Sequence, residues 1–277
     1  MNRPPLKKRN QSFNKNSSEQ KSDFQGKIPY SKKVKESKVY GLNACKAFFK
    51  SRPQKIIRAF FLAHITAQFP ETLSYLANHK KVYRILPPDE MEKVSQTTHH
   101  EGVVFIVEQS QPTRAEEWLE RWKSENDCIV ILENVGNPHN LGAIMRTCAH
   151  FGITAICTQD SQNLESGAAL RTAEGGGESI ICLQYQNLEN FIQALKNKSY
   201  SVITTSSHLG QNLFRTQLPK KCAFLFGEES KGLSENLFQI DDLKIQIPGT
   251  NNVESLNVAN SVAIICGEFY RQHRQMS

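Results

Sequence analysis

The sequence predicts an α/β protein whose C-terminal part is a parallel sheet flanked by helices. Residues 128–132 (CIVIL) form an almost wholly apolar run, which is typical of a parallel strand covered on both faces. From Asp127 onward, strand-like and helix-like patterns alternate, and right-handed crossovers convert such a repeat into a doubly wound sheet. Polar segments follow three of the predicted strands, at the sheet edge where open α/β proteins bind ligands.

The C-terminal region (residues 127–277) contains the elements of this sheet. We predict its first helix from Asn140, a residue type that caps helices, to Gly152, a residue type that ends them. Leu141 and Ile144 begin a series of apolar residues at the spacing of one buried helix face. The further predicted strands are 153–158, 201–205, 222–226 and 243–247, and the further predicted helices are 187–197, 232–239 and 255–272.

Residues 39–108 predict a second, smaller α/β domain of about 70 residues, within the size range that folds alone. Residues 109–126 predict a linker with a short helix, on which Trp118 and Trp122 lie one turn apart. We expect the two indoles to pack the linker onto a domain face, and base stacking is the alternative. The small domain has predicted strands at 56–62, 82–86 and 102–108, and predicted helices at 41–50, 70–77 and 88–94.

Charge is concentrated in residues 1–38, which contain 11 Lys/Arg and 3 Asp/Glu and so carry a net charge of +8. The remainder of the chain has 23 basic and 24 acidic residues and is nearly neutral. The basic segment is poor in large apolar residues, so it predicts a disordered tail. Such an arm suits a nucleic-acid phosphate backbone through counterion release, and the alternative is a solubilising extension.

The seven cysteines include no CxxC pair, and an odd count without clustered spacing argues against a disulfide framework or a zinc site. We therefore expect no metal. No apolar run reaches the length of a membrane span, and no signal peptide is visible. The expectation is a soluble cytoplasmic protein without a membrane partner.

Each of the three polar segments allows an ordinary structural interpretation when it is taken alone. Arg146 fits a surface arginine that lies over the apolar stripe of its helix. Asn140 and Ser255 fit helix caps. Gly227 fits a turn, and Glu229 fits a carboxylate that complements a helix dipole. The segments are 133–146 (ENVGNPHNLGAIMR), 226–234 (FGEESKGLS) and 247–258 (IPGTNNVESLNV).

Taken together, the three segments resemble the signature motifs of the SpoU, or TrmH-like, RNA 2′-O-ribose methyltransferases of the SPOUT class. The resemblance covers residues 127–272, and residues 164–176 look most like the YfiF-type branch of bacterial members. Residues 39–108 look like the L30e-like substrate-binding domain that precedes many members. The matching residues are Asn134, Asn140, Gly142 and Arg146 in the first motif, Gly227, Glu229, Gly232 and Leu233 in the second, and Ile247, Pro248, Ser255, Leu256, Asn257 and Val258 in the third.

The resemblance implies a SPOUT fold with a deep trefoil knot, S-adenosylmethionine held in the knot, and a homodimer with its active sites at the interface. It places cofactor contacts, mostly through the main chain, at Thr205, Gly227, Ile247 and Leu256.

Three residues in two of the motifs depart from the usual patterns. Asn137 replaces an acidic residue before Pro138, and Gly249 replaces a methionine in the third motif. Asn251 stands where a glycine is frequent.

The implied reaction transfers a methyl group from S-adenosylmethionine to a ribose 2′-hydroxyl of tRNA or rRNA. Arg146 is the predicted catalytic centre, and because a guanidinium stays protonated we assign it to the target phosphate and the developing alkoxide. A phosphate or a neighbouring group would then take the proton. Asn140 and Ser255 would orient Arg146 and the ribose. Glu229 would pair with Arg146 or fix its loop, and Asn257 would brace the third motif.

Two alternatives remain open at this point. One is an RNA-binding protein on a methyltransferase scaffold whose catalysis has decayed. The other is methylation of a base by the same fold.

Overall fold

The computed structural model describes two sheets with their helices. The predicted basic tail lies mostly in residues 1–33, which are outside the described residues. We call residues 36–108 the small module and residues 113–273 the large module. The described residues are 34–228, 232–234, 236–237, 241–250 and 252–273.

The small module is a four-stranded sheet in the order β1-β4-β2-β3 with three helices. Strands β2 and β3 run parallel, whereas β1 and β2 each pair antiparallel with β4. The elements are β1 (Glu36–Tyr40), α1 (Leu42–Ser51), β2 (Ile56–Phe61), α2 (Pro70–Asn78), β3 (Val82–Ile85), α3 (Pro88–Ser95) and β4 (Val103–Glu108).

Strand β1 corrects the prediction that residues 1–38 are disordered throughout. The strand begins at Glu36 and pairs with β4 along its whole length. Val39 is buried in the core, and Arg58 makes two hydrogen bonds, of 2.7 and 2.9 Å, to the Glu36 carboxylate. The composition of the segment concealed this strand because its stability comes from pairing with a buried neighbour.

The large module is an eight-stranded sheet in the order β10-β12-β9-β11-β6-β7-β8-β5, and every pairing in it is parallel. This confirms the predicted parallel α/β sheet. The elements are β5 (Thr113–Arg114), α4 (Ala115–Arg121), β6 (Asp127–Leu132), α5 (Pro138–Phe151), β7 (Ala155–Thr158), α6 (Gly167–Thr172), β8 (Ile181–Gln184), α7 (Leu188–Asn197), β9 (Ser201–Ser206), β10 (Gln211–Asn212), β11 (Lys221–Phe226), β12 (Leu243–Gln246) and α8 (Val258–His273).

Strand β6 lies at the centre of this sheet and shows why the apolar run 128–132 is a buried strand. All six of its residues are buried. Cys128, Val130 and Leu132 point into one core with α5 and α8, whereas Ile129 and Ile131 point into a second core with α4 and α7. Because alternate side chains face opposite sides of a strand, a sheet covered on both faces needs apolar residues at every position.

Several elements differ from the sequence prediction. Strands β5 and β8 were not predicted, and β5 places the predicted linker at the edge of the large sheet. The predicted helix 232–239 does not begin at Gly232, which has a φ of 70° and forms a bridge with Glu228, whereas Asn236 and Leu237 lie in a 3-10 turn. Trp118 packs against the second core, as expected, and stacks on Trp122.

Buried cysteines and the helix lengths bear on two further expectations. All seven cysteines are free thiols, and only Cys182 is not fully buried. Among the described residues, no helix is both long and apolar enough to cross a membrane.

Candidate cofactor cavity and active site

A cavity of about 610 Å³ opens at the carboxyl ends of β9, β11 and β12. Its volume is within the range of small-molecule sites, about 300–1,000 Å³. Its lining includes all four residues that the motifs predict as cofactor contacts: Thr205, Gly227, Ile247 and Leu256. The structure therefore brings together residues that are up to 51 positions apart in the sequence.

The cavity wall formed by the second motif is mainly backbone. The chain turns back on itself after β11, and the Gly232 amide donates to the Glu228 carbonyl at 2.7 Å. A Cβ added at Gly227 would lie 2.1 Å from the carbonyl carbon and oxygen of Gly232. Only glycine fits this close approach. Thr205 uses its hydroxyl to donate to the Leu225 carbonyl at 2.9 Å, which ties β9 to β11.

The first motif holds the second through Glu133. The Glu133 amide donates to the Phe226 carbonyl at 2.9 Å. The Glu133 carboxylate accepts hydrogen bonds from the Ser234 amide, at 2.9 Å, and from the Ser234 hydroxyl. Sequence reasoning gave neither residue a role, because the two are 101 positions apart and no local spacing connects them.

Tyr185 supports the strand that leads into the first motif. Its hydroxyl donates to the Leu132 carbonyl, at 3.2 Å, at the end of β6. Burial raises the pKa of Tyr185, so the phenol stays protonated and keeps its donor role at neutral pH.

The first motif meets the third through two asparagines. The Asn257 side-chain amide donates to the Asn140 side-chain oxygen at 3.2 Å. The Asn257 side-chain oxygen accepts from the Ala259 amide at 2.9 Å, so Asn257 caps α8 as well. The structure thus confirms that these two motifs lie side by side.

Two predicted helix caps are wrong. Helix α5 begins at Pro138, and Asn137, not Asn140, caps it by accepting from the His139 amide at 2.9 Å. Proline is favoured at a first helical position, which moves the start of the helix ahead of Asn140. Helix α8 begins at Val258, so Ser255 lies before it, exposed and on the cavity wall.

Arg146 lies apart from the other predicted site residues. It is exposed on α5, and its side chain forms no hydrogen bond or ion pair with a described residue. It is not among the residues that line the cavity. Glu229 and Asn251 lie outside the described residues.

Metal-ligating groups are the remaining expectation for this site. In the described part of the chain, no three His, Cys, Asp or Glu side chains are arranged to hold a metal ion.

Comparison with known proteins identifies the family of this chain. The model of the SpoU rRNA methylase family matches residues 127–267, and that of the RNA 2′-O ribose methyltransferase substrate-binding domain matches residues 38–113. The chain belongs to the SpoU methylase family. A protein named uncharacterized tRNA/rRNA methyltransferase YfiF, from Escherichia coli O157:H7, is 41% identical over 242 residues, which are 87% of this chain and 70% of the relative.

More distant proteins are also similar to this chain in sequence or in structure. The 23S rRNA (guanosine-2′-O-)-methyltransferase RlmB of Neisseria meningitidis serogroup B is 27% identical over 237 residues, which are 84% of this chain and 94% of RlmB. The AdoMet-bound rRNA methyltransferase from Sinorhizobium meliloti has a similar structure, with a TM-score of 0.72, 21% identity and coverage of 87% of this chain and 88% of the other.

Family membership confirms four of the predictions. The chain is a SpoU-type member of the SPOUT class with the predicted α/β parallel-sheet fold, and it is an enzyme. It is an RNA methyltransferase. The knot, the dimer, the position of the methyl group and the roles of single residues stay predictions.

Proposed function

We propose that this SpoU methylase transfers a methyl group from S-adenosylmethionine to a ribose 2′-hydroxyl of tRNA or rRNA. The observation that carries the proposal is the cavity, which contains every predicted cofactor residue. The name of the Neisseria RlmB relative specifies a guanosine 2′-O position. The small module matches a substrate-binding domain of 2′-O ribose methyltransferases, which supports RNA as its ligand.

The cavity fits the cofactor by its shape and by its lining. Thr205, Gly227, Ile247 and Leu256 would hold S-adenosylmethionine mainly through main-chain groups, because the Thr205 hydroxyl is already used and the other three offer apolar side chains or none. The bound cofactor supplies a methyl group that its sulfonium has already activated. The protein therefore has to align the ribose hydroxyl and stabilise the charge that develops on it.

Arg146 would supply that charge stabilisation. Its guanidinium stays protonated at all physiological pH values, so it cannot act as the base. It would hold the phosphate beside the target ribose and stabilise the alkoxide as the 2′-hydroxyl loses its proton. The proton would then pass to an RNA phosphate oxygen or to a neighbouring group.

The other predicted catalytic residues would position the reacting groups. Ser255, exposed on the cavity wall, would hydrogen-bond the ribose. Asn140 would share this task, and Asn257 would hold Asn140 in place through the bond between their side chains. Glu229 would pair with Arg146 or fix the loop of the second motif.

We also propose that the enzyme is a homodimer whose active sites lie at the interface. Arg146 does not line the cavity of its own chain, and a second copy would bring an arginine to each cavity. Exposed apolar side chains at the cavity support an interface there: Phe214 is 54% exposed, Val253 is 70% exposed and Leu256 is 42% exposed. A deep trefoil knot formed by the three motif loops is part of the same proposal.

We place this reaction in the cytoplasm, because bacterial relatives are named for the modification of tRNA and rRNA.

A transfer assay tests the proposed function. Purified protein is incubated with S-adenosylmethionine labelled in its methyl group and with RNA from cells that lack the gene. We expect label in tRNA or rRNA and saturable cofactor binding by calorimetry. Binding of RNA without cofactor binding or label transfer would contradict the proposal and favour a scaffold whose catalysis has decayed.

A further inference from the structure

Arg52 lies where the small and large modules meet. It follows helix α1 of the small module, and its amide donates to the Phe48 carbonyl at 2.8 Å. Its guanidinium lies over the Phe48 ring, 4.7 Å from the ring centre. This contact directs the charged group away from its own module and toward the large module.

The Arg52 guanidinium binds two carboxylates of the large module. Its Nε and Nη2 form a fork on Glu178, at 2.9 and 2.7 Å, and its Nη1 donates to Glu165 at 3.0 Å. Nη1 also donates to the Ser110 hydroxyl at 2.9 Å, in the segment that connects the modules. The Glu178 side chain is only 10% exposed, and that of Arg52 is 26% exposed. Forked, charge-assisted hydrogen bonds in such a site hold the two groups in one relative geometry and are stronger than hydrogen bonds between neutral groups.

Other contacts join the same two surfaces. Arg171 forms an ion pair with Glu101 at 2.8 Å, and the Asn43 side-chain amide donates to Glu174 at 2.6 Å. A Cβ added at Gly167 would lie 2.4 Å from the Tyr40 ring. All of these large-module partners, like Glu165 and Glu178, fall within residues 165–178, which we call the wedge segment.

The opposite side of the wedge segment packs against α5, the helix that carries Arg146. A Cβ added at Gly176 would lie 3.1 Å from the Arg146 Cα atom, and one added at Gly142 would lie 2.4 Å from the Thr172 Cβ atom. The wedge segment is therefore in van der Waals contact with the small module on one side and with the backbone of Arg146 on the other. Displacement of the small module relative to the wedge segment therefore changes the distance between the small module and Arg146.

A cavity lies beside the hydrogen bonds that Arg52 makes between the modules. This cavity of about 310 Å³ between the modules is lined by Arg52, Ser110, Glu165 and Glu178, among others. Packing on this side of the interface is incomplete, so the Arg52 bonds join the modules where apolar side chains do not fill the space between them.

We propose that Arg52 is a positioning residue that clamps the small module to the wedge segment and so holds bound RNA at a fixed distance from Arg146. The clamp itself is a property of the protein without RNA, and only its effect on bound RNA rests on the proposed function. Loss of the clamp would widen the range of distances between the modules. RNA held by the small module would then reach Arg146 in register less often, which raises KM for RNA and leaves cofactor affinity unchanged.

The clamp is tested by distances between two nitroxide labels, one in each module. Ala67→Cys and Gln193→Cys supply exposed labelling sites in a Cys182→Ser background, since the other native cysteines are buried. We expect one narrow distance distribution for the parent protein and a broader one for Arg52→Ala. The same narrow distribution in Arg52→Ala would overturn the proposal, even if that variant melts at a lower temperature.

Two further clamp variants and one control distinguish loss of the clamp from a failure to fold. Arg52→Lys keeps the charge but cannot form the fork. Glu178→Gln removes the negative charge and replaces one of the two acceptor oxygens with an amide donor, so both variants should broaden the distribution. Arg58→Ala is the control, because Arg58 forms an equally forked pair with Glu36 but within the small module. Broadening by Arg58→Ala equal to that by Arg52→Ala would also overturn the proposal.

Kinetics then connect the clamp to catalysis. For Arg52→Ala we expect kcat/KM for RNA to fall about tenfold, mainly through KM, with the Kd for S-adenosylmethionine within about twofold. A broadened distribution with unchanged KM for RNA would overturn the positioning role. If the parent protein methylates no RNA, the proposed function fails, and the label distances still decide whether Arg52 is a clamp.

Discussion

The cofactor cavity and the RNA-facing side of this protein are built in opposite ways. The cavity wall is closed by bonds within the chain, such as Gly232 to Glu228, Ser234 to Glu133 and Thr205 to Leu225. The Arg146 side chain, in contrast, is exposed and has no hydrogen-bonded partner among the described residues. On the proposed function, the cofactor site is therefore complete before substrate arrives, whereas the RNA site would be completed by the RNA and by a second copy of the chain.

The strongest test of this comparison is Arg146→Ala. We expect methyl transfer to fall about 10²–10³-fold, the cost of removing a group that stabilises developing charge. The Kd for S-adenosylmethionine should stay within about twofold, because Arg146 does not line the cavity. Radiolabel transfer and calorimetry measure the two effects. Arg121→Ala, an exposed arginine on α4, is the control and should change neither. Equal losses of cofactor binding and methyl transfer in Arg146→Ala would contradict the assignment of Arg146 to a site separate from the cofactor cavity.

The converse test is Gly227→Ala. The added Cβ would meet the Gly232 backbone at 2.1 Å, so the turn has to move and the cavity wall moves with it. We expect the Kd for S-adenosylmethionine to rise more than about tenfold, whereas RNA binding stays unchanged. Gly267→Ala in α8 is the control, since its Cβ would only touch Phe151 at an ordinary 3.4 Å. Normal cofactor affinity in Gly227→Ala would refute a backbone-built site.

A smaller effect is expected when residues 1–33 are removed. This segment carries 9 Lys/Arg and 2 Asp/Glu, whereas the large and small modules together are nearly neutral. RNA affinity should fall several-fold, and the plot of log affinity against log salt should become flatter, by about 0.7 per lost contact with single-stranded RNA. Cofactor affinity should not change. The same salt slope in both proteins would show that the basic segment does not bind RNA.

The smallest effect concerns Asn257, which connects the two sides. Asn257→Ala removes the cap of α8 and the bond to Asn140, and should lower the free energy of unfolding by about 1 kcal/mol. Asn257→Asp keeps the oxygen that caps α8 but loses the amide donor to Asn140. We therefore expect Asn257→Asp to melt close to the parent protein and to lose transfer activity, and thermal melts with transfer assays compare the two variants. Full activity in Asn257→Asp would exclude a positioning role for the Asn140 bond.

The sequence predicted the parallel sheet because buried strands carry their own signal. In β6, alternate residues face two cores, so the run 128–132 is apolar at every position. The four expected cofactor residues came from the family resemblance, and the structure places all four on the wall of one cavity. Their contacts with the cofactor stay predictions. Strands β1 and β5 were missed because edge strands gain their order from pairing and have little apolar pattern of their own.

Long-range side-chain contacts were beyond the reach of sequence reasoning. Nothing local connects Glu133 to Ser234 or Arg52 to Glu178, which are 101 and 126 positions apart. The cap of α5 was misplaced although its signal is local. Asn137 and Asn140 are equally good caps by residue type, but the fixed φ of Pro138 suits the first helical position and so favours Asn137.

The central claim is that the methyl group goes to a ribose oxygen, and alkaline hydrolysis of the labelled RNA tests it directly. A 2′-O-methyl group removes the hydroxyl that attacks the neighbouring phosphodiester, so that bond survives alkali. We predict that the label from S-adenosylmethionine appears in alkali-resistant dinucleotides. Label found in mononucleotides that carry a methylated base would contradict the account.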